Sequence, residues 1–211
     1  MATTGPTTKD TTTIALGLAQ IRIGASAANL TKQNPVLASS DSIGALANTK
    51  FVGNAEFFKL ESGYPMLEDA VFPLRESAAL ECAFKEITPF NLALARGLDP
   101  TNALYSDEHT GSIKLGTLAT PVSVRMEAIY TYPDGTNTMN IIFPKAQVSG
   151  NIEMDFAPEE PAAVAVSIEA KRADSEVSGG NACWDDKPIG HILWNDGSTL
   201  TTTTTTTTTT S

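Results

Sequence analysis

The stretch VSVRMEAIYTY, residues 122–132, decides the fold. Val122, Val124, Met126, Ala128, Tyr130 and Tyr132 alternate with Ser123, Arg125, Glu127, Ile129 and Thr131. That period of two is the signature of a strand with one dry and one wet face. Pro133-Asp134-Gly135-Thr136 follows with turn chemistry, Pro fixing φ and Gly accepting a positive φ. Met139, Ile141 and Phe143 carry the chain back. Val148, Gly150, Ile152, Met154 and Phe156 then alternate with Gln147, Ser149, Asn151, Glu153 and Asp155. Beyond Pro158-Glu159-Glu160-Pro161, a further strand sets Ala162, Val164, Val166, Ile168 and Ala170 against polar and small neighbours. Successive strands with short connections predict an antiparallel meander.

Upstream, one helix is expected over about residues 89–96. Thr88 is a good N-cap, Pro89 suits the first helical position and Gly97 ends the segment. Phe90, Ala93, Leu94 and Gly97 share the face that would lie on the sheet, and Ile87 can staple to Leu92. Before the helix, Glu56–Glu61 and Ala78–Phe84 read as strands, with Leu80, Cys82 and Phe84 on the dry side. The connection between them, about residues 62–76, is expected to be a long loop because Gly63, Pro65 and Pro73 interrupt it. It is too apolar for a solvated loop, carrying Tyr64, Met66, Leu67, Val71, Phe72 and Leu74. Such a loop either folds onto its own domain or docks on another subunit, and docking is the favoured reading.

The 211 residues suit one β domain over 14–197, flanked by a Thr-rich arm at 1–13 and a poly-Thr tail at 198–211. Neither end can bury enough apolar surface to order itself in isolation. Fourteen Lys and Arg stand against 24 Asp and Glu, a formal charge of −10. That balance opposes gripping nucleic acid through its phosphates. No apolar run reaches the roughly 18 residues needed to span a bilayer. The N-terminus lacks the basic-then-apolar order of a secretory signal, so a protein made in the cytosol and not membrane-bound is expected. Two cysteines cannot build a disulfide framework or a four-ligand zinc site.

Catalytic signatures are missing: there is no GxGxxG, P-loop, GxSxG or HExxH. His109 lies in a polar loop and His191 beside Ile192, and both read as structural. Glu159-Glu160 and Asp185-Asp186 lack the ligand spacing of a calcium loop and read as solvated turns. Cys82 reads as a small buried hydrophobe, and Cys183, after Gly179-Gly180, as exposed. Trp184 and Trp194 are expected to pin the C-terminal extension to a surface. No enzyme activity, cofactor or metal is expected.

Residues 46–99, LANTKFVGNAEFFKLESGYPMLEDAVFPLRESAALECAFKEITPFNLALARGLD, resemble the central region of tailed-bacteriophage major tail tube proteins. The likeness is strongest over 57–98, through the long loop, the flanking strands and the TPxNLAxAxGL helix. It implies a mainly β protein: an antiparallel β-sandwich or β-barrel with one short flanking α-helix, a long inter-strand loop and extended terminal arms. It further implies homohexameric rings stacked into a tube that conducts DNA into a host, within a virion tail assembled in the host cytoplasm. Sheath, tape measure and tail terminator proteins would be the other partners. Carried onto this chain, the stacking loop would offer Lys59, Glu61, Glu68, Asp69 and Arg75 as polar contacts. Tyr64, Met66, Leu67 and Phe72 would be its apolar anchors.

An acidic wall repels DNA, whereas Lys and Arg would bind it by releasing counterions. Glu81, Glu127, Glu153, Asp155 and Glu169, on the expected wet faces, are the candidate lumen-lining acids. Two other readings remain open: a tube subunit of a DNA-free injection or secretion particle, and a carbohydrate-binding β-sandwich. The second would use Trp184, Trp194 and Tyr130 as stacking surfaces.

Overall fold

The computed structural model describes residues 17, 19–100, 102, 111–116, 120–133, 135–148, 152–154 and 162–195. The described residues form seven strands: β1 (Gln20–Ala25), β2 (Leu46–Ser62), β3 (Leu67–Phe84), β4 (Val124–Thr131), β5 (Thr138–Val148), β6 (Val164–Ala170) and β7 (His191–Asn195). All pairings are antiparallel, in the order β1-β4-β5-β6-β3-β2, with β7 also on β5. Helix α1 (Ser26–Asn29) follows β1, and α2 (Pro89–Ala95) follows β3. The mainly β, antiparallel class expected from the alternation is what the chain forms.

β5 is the hinge of the architecture. Its first half pairs with β7 through Thr138–Ile142, and its last residues, Ala146–Val148, pair with β6. β4 lies along its other edge. Val124 opposes Ala146 while Met126 opposes Phe143, so Pro144 and Lys145 together face Arg125. The bulge explains how a proline sits inside an 11-residue strand: it falls where the ladder is already interrupted. Of the separate strand expected over 147–156, residues 149–151, 155 and 156 lie outside the described residues. Residues through Val148 belong to β5, and Ile152–Met154 are not in a strand.

The main core gathers Ile21 and Ile23 of β1, Leu80 and Cys82 of β3, Met126 and Ala128 of β4, Phe143 of β5 and Ile168 of β6. A second cluster lies on the opposite face of β5, where Ile142 meets Leu30, Ala173 and Trp184. β4 is consequently buried on both faces, which corrects the one-dry, one-wet expectation. Residues 29–37 are what cover the second face.

Helix α2 starts as expected. The Thr88 hydroxyl accepts from the Asn91 N–H at 3.2 Å, Pro89 opens the helix and Gly97 takes φ 69°. A Cβ on Gly97 would meet the Val148 carbonyl oxygen at 2.7 Å, so only glycine closes this helix against β5. The buried face includes Ala93 and Leu94, and also Asn91. Its amide donates to the carbonyls of Ile43 and Glu86 at 2.9 and 2.8 Å, tying the helix to both chain segments beside it.

Candidate functional site: an exposed hairpin arm

The segment expected as a loop over about 62–76 is strand. β2 and β3 pair continuously from Leu46↔Phe84 to Ser62↔Leu67, leaving a turn of only four residues, 63–66, with a cis Tyr64–Pro65 bond. Gly63 has φ 88°, the left-handed conformation the turn requires. Pro73 opposes Phe57, next to a bulge that leaves Leu74 unpaired. Gly63 and Pro65 thus make the turn, and Pro73 is accommodated at an irregular, one-sided edge. The segment is a paired two-stranded arm, not a loop.

The arm projects because its neighbours stop. β6 pairs with β3 only over Ala79–Phe84, so among the described residues β2 is the one strand neighbour of residues 67–78. Eleven steps from Ala78 to Leu67 at about 3.4 Å each make the arm roughly 35 Å long. A two-stranded ribbon standing alone in water is marginal. This one is also strongly apolar: Phe57, Phe58, Leu60, Val71, Phe72 and Leu74 are exposed, and Tyr64 at the tip is 104% accessible. Phe58 opposes Phe72, with Leu60 opposite Ala70 two residues further on. Those four share one face. On the other, Lys59 Nζ lies 2.6 Å from Glu68 Oε2, and Val71 is opposite Lys59.

The nine residues assigned to this segment from the sequence are therefore brought together on one element. Tyr64 and Met66 lie in the turn, and Leu67 and Phe72 are exposed on β3. Of the polar five, Lys59 and Glu68 spend their charges on each other, and Asp69 accepts from the Ser62 hydroxyl. Glu61 is exposed at the tip end and Arg75 near the root.

Of the acids expected to line a lumen, Glu81 and Glu169 share one face of the β3–β6 pair, Glu81 opposite Ser167 and Glu169 opposite Ala79. Glu127 is withdrawn from that role: it is fully buried, with Oε1 2.7 Å from Arg125 Nε. Its carboxylate accepts from the Val36 and Leu37 N–H groups, while Arg125 donates to the carbonyls of Asn29, Lys32 and Asn34. Glu81 and Glu169 are partly exposed but paired with Lys50 at 3.1 Å and Lys171 at 2.6 Å. Glu153 is exposed, and Asp155 lies outside the described residues, as do His109 and Glu159-Glu160.

Trp184 is fully buried and donates Nε1–H to the Leu30 carbonyl at 2.5 Å, pinning the C-terminal region as expected. Trp194 does not share that task, being 63% exposed on β7. With Trp184 and Tyr130 both buried, two of the three aromatics proposed to stack on sugar cannot reach one. Cys183 is half-buried rather than exposed, its thiol 3.3 Å from the Leu30 carbonyl. His191 packs edge-on to Trp184 and donates Nε2–H to the Gln33 carbonyl at 2.8 Å. Burial holds its pKa below the ordinary value.

A second feature lies at the root of the arm. Where β3 parts from β6, a cleft of about 940 Å³ opens beside Arg75, Ala78, Lys171 and Lys187. A smaller hollow of about 230 Å³ adjoins it, floored by Phe51, Ile141, Phe143 and Ile192. Both are lined by Glu76, Ala78, Ile189 and Gly190.

Fold and site together define a mainly β antiparallel domain that carries a projecting apolar hairpin. No protein-family model and no curated protein matches the sequence. Among solved structures, the cryo-EM structure of an extracellular contractile injection system, a PVC sheath–tube complex in the extended state, contains a similar chain. It is 12% identical, with 74% of this chain and 85% of that chain covered at a TM-score of 0.39. A likeness of that size carries no functional argument.

Proposed function

We propose that this protein is a structural subunit that assembles with copies of itself into stacked hexameric rings forming a tube, in a phage tail that conducts DNA. The observation that carries the reading is the hairpin arm, which leaves its aromatic side chains exposed on both faces. Fully burying a Phe or Met side chain returns about 1.5–3 kcal/mol, more than the roughly 0.5–1.5 kcal/mol needed to order it at an interface. An arm of this kind is stable when a neighbour covers it. The outer edge of β2 adds 17 residues that no other strand pairs with among the described residues, a template for further strand addition.

The resemblance of residues 46–99 to tail tube proteins supplies the kind of assembly, and the net charge of −10 suits a bore that DNA must leave without sticking. Of the candidate lumen acids that are described, Glu153 is exposed and has no ion pair to another described residue; Glu81 and Glu169 offer weaker repulsion because each has a lysine beside it. Electron microscopy of the purified protein at rising concentration tests the reading. Rings or tubes are expected, and a monomer that persists after seeding with tail tips would contradict it.

A further inference from the structure

We propose that the cleft at the root of the hairpin is the receptor for the hairpin tip of a second copy of this chain. The inference rests on the self-assembly reading and adds the identity of the two surfaces. The tip offers Tyr64, Met66 and Leu67, all at least 65% exposed, and these need an apolar seat. The hollow floored by Phe51, Ile141, Phe143 and Ile192 provides one directly beside the larger cleft.

Charge supports the same pairing. Residues 59–69 of the tip carry Lys59 against Glu61, Glu68 and Asp69, a net −2. The cleft collects four cations, Arg75, Lys171, Arg172 and Lys187, against Glu76, Glu169 and Asp186. Its net of +1 stands on a chain whose net is −10. Lys171, Arg172 and Lys187 already hold acid partners; Arg75 is the rim cation with no ion pair among the described residues, and an incoming Glu61 would give it one.

The occupant must come from another molecule. The paired ribbon holds its own tip roughly 35 Å from its own root, so the chain cannot fold back into the cleft without breaking its ladder. Each copy then offers one tip and one cleft, a head-to-tail contact that propagates from copy to copy.

Mixing two variants tests the pairing. In a Cys183→Ser background, one full-length protein carries Tyr64→Cys and the other Ala78→Cys, a position that lines both hollows. Under mild oxidation the expected product is a 64–78 disulfide heterodimer, several-fold more abundant than 64–64 pairs. Assemblies that form while 64–64 pairs or no cross-links dominate would overturn the cleft assignment and leave the self-assembly reading standing. Failure of both proteins to assemble under any condition would overturn both. A charge exchange gives a second readout: Arg75→Glu should raise the concentration needed for assembly about tenfold, and adding Glu61→Lys in the same chain should restore it. An Arg75→Glu protein that assembles like the parent would also overturn the proposal.

Discussion

Arg125 Nε lies 2.7 Å from Glu127 Oε1, and neither side chain has any solvent exposure. The pair sits on one face of β4, two residues apart. Its outward groups hold the backbone of residues 29–37, Arg125 taking three carbonyls and Glu127 two N–H groups. A charge pair thus replaces regular secondary structure as the means of fixing that segment over the sheet. Isolated, either charge would be very costly in this setting; together, with their remaining hydrogen bonds satisfied, they specify one path for the chain.

Glu127→Ala should therefore destabilise the domain by about 3–5 kcal/mol, the cost of leaving a buried guanidinium unpaired. Chemical denaturation measures it. Pairing that change with Arg125→Met should recover only part of the loss, because the carbonyls of Asn29, Lys32 and Asn34 would still lack donors. A double variant as stable as the parent would show that the clamp is dispensable.

Burial pushes the Cys82 thiol up to about 12 from its ordinary 9.0. The folded state therefore keeps the proton while the unfolded chain ionises. Stability should be unaffected below about pH 8 and fall as pH rises from 9 towards 12. Replacing the thiol by Cys82→Ala should flatten that decline while lowering stability at neutral pH through the lost packing. Thiol labelling gives a parallel check: native protein should react at Cys183 before Cys82, and denatured protein at both.

His191 has its pKa depressed, chiefly by burial against Trp184 and the 29–37 segment, with Lys187 and Arg125 adding to the effect. A neutral imidazole is favoured in the fold, so stability is lost as pH falls below the unfolded histidine's 6.5. The His191 ring resonances in NMR should titrate with a midpoint below 6.5. A midpoint above 6.5 would mean that the ring is not packed as described.

Local chemistry was enough for some of these features to be legible in the sequence. The Thr88-Pro89 start of α2 and the alternation through β6 depend on residues a few positions apart, and both are as read. The hairpin arm was not legible, because Gly63, Pro65 and Pro73 look like punctuation of a loop. Two of them occupy a tight turn and the third sits beside the bulge at Leu74. The alternation also divides one long strand into a return through Phe143 and a separate strand over 147–156, because the bulge at Pro144 and Lys145 breaks the pattern inside β5. Alternation assigned Arg125 and Glu127 correctly to one face of β4, but it says nothing of what covers that face. Opposite charges two apart within an apolar strand were the available signal of a buried pair. The cleft at the root is built by residues 74–79, 169–172 and 186–190, segments whose meeting depends on where β6 stops pairing with β3, and no local pattern encodes that.

Sedimentation velocity across a concentration series, on the full chain and on a variant with residues 57–73 replaced by Asn-Gly, tests the central claim most directly. The variant should keep a folded, monomeric body at every concentration, while the full chain shifts to large species as concentration rises. Equal assembly by both proteins, or a full chain that stays monomeric throughout, would contradict the account.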